Sequence, residues 1–72
     1  MTVAKVIELS ARSPDSFEDA IEQGVARASK TLKNVKSAWI KEHQVDIADG
    51  QVSGYRVNMM VTFVLEEPED DD

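Results

Sequence analysis

The chain contains no cysteine, which excludes disulfides, thiolate zinc sites and a cysteine nucleophile together. Its single histidine rules out an imidazole-based metal cluster within one chain. Basic residues are scarce: eight Lys and Arg stand against fourteen Asp and Glu, a net charge of −6. A nucleic-acid surface needs clustered cations to displace counterions from phosphate, so that class of partner is not expected. Long apolar runs are missing as well. The opening "MTVAKVIELSAR" lacks the apolar core of a signal peptide or membrane span and reads as a strand. The expectation is a cytoplasmic protein with no membrane partner. With 72 residues there is room for one domain whose core alone is marginal. Disulfides, metals or oligomerisation usually make up that difference; self-association is the option left.

The last seven residues, "EEPEDDD", hold six acids and one proline. Such a composition buries no apolar surface. The division expected is a folded domain over residues 1–65 and an acidic disordered tail over 66–72.

Within the domain, "VAKVIEL" is short and rich in β-branched residues, as suits a strand. Ser13 followed by Pro14 reads as a helix start, a hydroxyl N-cap and then a residue with no N–H to satisfy. Asp15, Glu18 and Asp19 complement the positive end of the helix dipole, and Lys30 and Lys33 the negative end. Phe17, Ala20, Ile21, Gly24, Val25, Ala28 and Leu32 recur at spacings of three and four and form one apolar stripe. Gly24 and the alanines keep that stripe thin, so the helix can lie close on a sheet. Asn34 is placed to end it.

The remainder is a hairpin. Asp49-Gly50 between two alternating segments signals a type I′ turn, which needs positive φ at both central residues. That turn pairs Ala48 with Gln51, His43 with Arg56, Trp39 with Met60 and Ser37 with Thr62, unless a bulge at Gly54 shifts the register by one. Tyr55, Val57, Met59, Val61, Phe63 and Leu65 then line the face covered by the helix, with Ala38 and Ile40 beside them. The other face carries Ser37, Trp39, Lys41 and His43 beside Arg56, Asn58, Met60 and Thr62. No further element is left to cover it. The fold class is α+β, a β-α-β-β order with a three-stranded antiparallel sheet and one helix. Its bare face and exposed edges predict association with further copies.

In its order of motifs the chain resembles the dodecins: "AKVIEL", then "SPDSFEDAI", "ARASKTLKNV" and "YRVNMMVTFVL". The resemblance spans roughly residues 3 to 65. It implies a sheet partly wrapped around the helix and assembly into a hollow homododecamer. It also implies a non-enzymatic store or buffer that holds riboflavin or FMN in pairs between subunits. In that family a tryptophan on the second strand stacks on the isoalloxazine ring, and a glutamine on the third bonds its polar edge.

The match departs from the family at those two positions. Ser37 stands where the stacking tryptophan is usual and Arg56 where the glutamine is usual. Trp39 lies two residues further along, on the same face but displaced by about 7 Å. Arg56 donates to carbonyl oxygens and stacks on flat rings, but it cannot accept from a ring N–H; Asn58 is the candidate acceptor. The flavin-contact set expected from the resemblance is Trp39, Arg56, Ser37, Asn58, His43 and Met60. The rival reading is a dodecin-like scaffold without flavin that binds calcium or another small ligand, with Glu42, Asp46 and Asp49 as acids that symmetry could gather into oxygen-ligand sites. Catalysis is not expected. His43 has no carboxylate–serine arrangement around it, and no other pair suggests acid–base work.

Overall fold

The structure, a computed structural model, describes residues 2–65; the acidic tail expected over 66–72 lies outside them. Its elements run β1 (Ala4–Ser13), α1 (Phe17–Thr31), β2 (Val35–Ala48) and β3 (Gln51–Val64). They form one antiparallel three-stranded sheet in the order β1-β3-β2, with α1 on one side. This is the β-α-β-β architecture expected from the sequence. Among the described residues no helix is long and apolar enough to cross a membrane.

The helix begins three residues later than expected. Ser16, not Ser13, is the N-cap, and its hydroxyl accepts from the Asp19 backbone N–H at 3.0 Å. Ser13 is unavailable for that role because the sheet holds its backbone opposite Tyr55. Its buried hydroxyl donates to the Asp19 carboxylate at 2.6 Å and accepts from the Asp15 N–H at 2.9 Å. Two serines thus share the work of one helix start. At the other end Leu32 caps the helix through its N–H to the Ala28 carbonyl. Lys33 falls beyond the last turn, leaving Lys30 as its base. Asn34 adopts φ 63°, the left-handed conformation that asparagine tolerates at a chain reversal.

The apolar stripe packs as its spacing requires. Ala20, Gly24 and Ala28 are buried on α1, against the fully buried Val57, Met59 and Val61 of β3. Phe17, Ile21, Val25, Ile7 and Leu9 close the margin of this core. Each fully buried Val or Met is worth about 1.5–3 kcal/mol relative to exposure. The approach is close at Gly24, where a Cβ would stand 2.8 Å from Met59 Cε and 3.1 Å from Ala11 Cβ. Leu65, expected on this face, lies past the end of β3 and is exposed.

The hairpin turns at Asp49-Gly50 with φ 54° and 75°, as a type I′ turn demands. Ala48 faces Gln51, Trp39 faces Met60 and Ser37 faces Thr62, as expected. Between them the register changes. Ser53 on β3 and Lys41 on β2 have no cross-strand partner, so residues 42 to 46 pair one place out of step. Arg56 therefore faces Gln44 and His43 faces Val57. A third shift leaves Lys36 unpaired.

Candidate functional site

The slip between the two inner bulges decides which side chains meet. His43 shares a face with Val57, the helix side. Its ring lies edge-on to Phe17, with centroids 4.6 Å apart, and Phe17 in turn meets Tyr55 at 5.1 Å. His43, expected on the ligand face, instead stacks against the start of the helix, across the sheet from Trp39.

The uncovered face reads best in rows across the three strands. Ser37, Thr62 and Val6 form one row; Trp39, Met60 and Glu8 the next; then Glu42, Asn58 and Ser10; then Gln44, Arg56 and Arg12. Trp39 is 53% exposed and stands opposite the half-buried thioether of Met60. A flat ring beside a polarizable sulfur is a surface suited to another flat ring or to apolar groups of a second chain.

The polar groups of this face are largely held by one another. Arg12 Nε donates to Asp46 Oδ2 at 2.7 Å and Arg56 donates to the same oxygen at 3.1 Å. A second nitrogen of Arg12 donates to the Ser53 carbonyl at 3.3 Å. The hydrogen bond from Arg12, with Arg56 beside it, holds the Asp46 carboxyl below its ordinary value, although partial desolvation pushes the other way. Asn58 Nδ2 donates to Glu42 Oε1 at 2.7 Å, and Lys41 meets Glu8 at 3.2 Å. Two of these links, Arg12–Asp46 and Lys41–Glu8, span from one edge strand to the other over β3. Both are exposed to solvent, which screens them; they fix side-chain positions more than they stabilise the sheet.

Of the six residues expected at a ligand face, the structure brings Trp39 and Met60 into direct opposition and sets Ser37 one row away. Arg56 and Asn58 are on the same face, each tied to an acid of β2. The sequence reading missed Arg12, Glu8 and Gln44 here, and it gave Asp46 and Glu42 no partners. The available signal was the alternation of β1, which continues through "ELSARS" and sets Glu8, Ser10 and Arg12 on one side. Among the described residues no group of three or more His, Asp or Glu is placed to hold a metal ion. Glu42 is engaged by Asn58 and Asp46 by two arginines, while Asp49 sits in the turn.

A family profile described as Dodecin matches residues 3–66. The chain belongs to the dodecin family. Dodecins are non-enzymatic proteins that bind small ligands. The chain is 38% identical over 65 residues to the dodecin of Thermus thermophilus, covering 90% of this chain and 94% of that one. It is 30% identical over 65 residues to the calcium dodecin of Mycobacterium tuberculosis, covering 90% and 92%. Among solved structures, dodecin from Streptomyces davaonensis superposes with a TM-score of 0.88 at 33% identity, covering 92% of this chain and 97% of that one. The M. tuberculosis calcium dodecin, described as calcium chelating, superposes with a TM-score of 0.78 at 27% identity, covering 96% and 99%. Family and fold are thereby established, and relatives named for calcium and relatives named simply dodecin are both similar to this chain.

Proposed function

We propose that this dodecin is a cytoplasmic, non-enzymatic flavin-binding protein that stores or buffers riboflavin or FMN in a homododecameric shell. The observation that carries the reading is the half-exposed Trp39 on the edge strand β2 of an uncovered sheet face, opposite Met60 of the central strand. A ring so placed on a small acidic domain gains from being covered, and an isoalloxazine has the shape and polarizability to cover it. Stacking of a planar ring on an aromatic side chain is worth about 1–3 kcal/mol in comparable nucleic-acid sites. Arg56 would donate to the flavin carbonyls and Asn58 would offer its amide oxygen to the ring N–H, with Ser37 at the margin. His43 has no part in this site.

A second reading is favoured by one observation. Arg56 and Asn58 are already bonded to Asp46 and Glu42, so a flavin edge would compete with the chain's own acids. On that reading the shell carries no flavin. Trp39 packs between subunits, and acids of several copies converge on calcium or another cation.

Titration of riboflavin and FMN into the purified protein separates the two, with flavin and Trp39 fluorescence followed together. Joint quenching at micromolar or tighter affinity, lost in Trp39→Ala, is the expected result. Absence of quenching with either flavin sinks the storage reading; calcium binding by calorimetry on the same sample would then support the second.

A further inference from the structure

Asn58 stands on the central strand β3, one row along the uncovered face from the Trp39–Met60 pair. One row is about 7 Å along the strand, within reach of the edge of a planar ring seated on Trp39. A carboxamide can meet such an edge in two opposite ways. Turned one way it presents N–H donors; turned the other it presents an oxygen acceptor. What holds its far end decides between them.

Glu42 is that holder. The two residues are direct cross-strand partners, and Asn58 Nδ2 donates to Glu42 Oε1 at 2.7 Å. A carboxylate accepts and cannot donate, so the amide nitrogen is the end it draws. Charge-assisted hydrogen bonds of this kind are roughly twice as strong as neutral ones. The oxygen Oδ1 is left over, and among the described residues Asn58 makes no second side-chain hydrogen bond.

Glu42 faces Asn58 because of the bulge at Lys41. Had the register that pairs Trp39 with Met60 continued unbroken, Lys41 would stand opposite Asn58. An ammonium donates and cannot accept, so it would draw the oxygen and turn the N–H groups outward. The extra residue in β2 thus reverses the polarity of the amide, and Lys41 is taken instead by Glu8 at 3.2 Å.

From this geometry we infer that Glu42 is a positioning residue: it holds the Asn58 oxygen toward the open face, so the site selects planar rings whose edge carries an N–H. The polar edge of an isoalloxazine has such a group, an imide N–H between two carbonyls. A ligand that takes Oδ1 leaves the Glu42 bond in place, so this acid is not its rival. Arg56, two residues along β3 on the same face, gives one nitrogen to Asp46 and has further N–H groups for a carbonyl. The inference rests on the flavin reading proposed above and adds the residue that sets its choice of ring.

The test compares riboflavin with its analogue methylated at the imide nitrogen, titrated into the full chain while Trp39 fluorescence is followed. Wild type is expected to bind riboflavin about tenfold or more tighter than the analogue, the scale of one hydrogen bond whose donor is removed. Asn58→Ala gives the part of that ratio due to the bulk of the methyl group alone. Glu42 is exposed, so its side chain can be changed without opening the core. Glu42→Lys, able only to donate, should bring the ratio down to the Asn58→Ala level, and Glu42→Gln, able to do either, to a value between. A merely structural role would weaken both rings alike and leave the ratio where it was. The ligand-free protein gives a second readout. One side-chain amide proton of Asn58 should be shifted downfield and slow to exchange by NMR, and Glu42→Lys should abolish both features. Tight riboflavin binding with the same ratio in wild type and Glu42→Lys would overturn this inference alone, as would an amide resonance indifferent to Glu42→Lys. If neither ring bound the wild type, the flavin reading and this inference would fall together.

Discussion

Arg12 and Arg56 stand directly opposite one another on β1 and β3, and one oxygen of Asp46 on β2 accepts a hydrogen bond from each. Like charges facing across a sheet repel; the shared carboxylate turns that repulsion into a three-strand link at the base of the hairpin arm. Because Asp46 is held below its ordinary pKa, its contribution to stability is present above the unfolded aspartate pKa of about 3.9. It is lost as the pH falls through the lowered folded value. Urea midpoints of wild type and Asp46→Asn should differ at neutral pH, with the wild type more stable. The gap should close on acidification through that range, and a gap independent of pH would contradict the account.

Gly54 is buried beneath the same arginine, and a Cβ there would collide with the Arg12 guanidinium. Gly54→Ala should therefore displace Arg12 from Asp46. The effects of Gly54→Ala and Arg12→Ala on stability should be non-additive, with a coupling of about 0.5–3 kcal/mol in a double-mutant cycle. Simple additivity would show that the glycine serves the backbone and not the arginine.

At Gly24 the helix and sheet are too close for a larger side chain. Gly24→Val must move Met59 and Ala11 and places a β-branched residue mid-helix. An overpacking cost of about 1–3 kcal/mol is expected in chemical denaturation.

Met59 is fully buried at the centre of the sheet. Met59→Ala should cost about 2–5 kcal/mol, a large part of the ~5–15 kcal/mol that holds a domain together. By contrast Trp39→Ala, at an exposed site, should stay within about 0.5 kcal/mol when both proteins are compared as dissociated chains. A large loss there would show that Trp39 belongs to the fold and not to the ligand or subunit face.

The fold was legible where the physics leaves one answer. Asp49-Gly50 has few alternatives as a turn, and burying Val57, Met59 and Val61 admits one phase of alternation. The register in the middle of β2 was not legible, for a reason the residues show. Between Lys41 and Gln44 both phases are polar, so the pattern there does not locate the slip; its trace is the change of apolar phase from Ala38 and Ile40 to Val45 and Ile47. That slip carried His43 to the helix side and brought Glu42 and Asp46 to the site. Arg12 was overlooked because "SARS" has little β-propensity; β3 beside it supplies the ladder that extends β1 to Ser13. The helix start was ambiguous between two serines, and pairing of Ser13 with Tyr55 resolves it.

The unpaired residues of the outer strand have one more consequence. β2 is an edge strand of fourteen residues, long enough to template cross-β growth if it were flat. Its two bulged positions are Lys36 and Lys41, so the edge is broken near its start and near its middle by an extra residue bearing a positive charge. Bulges and edge lysines each oppose strand addition. The chain thus keeps a long edge strand while denying an incoming strand the even, uncharged ladder that a fibril needs.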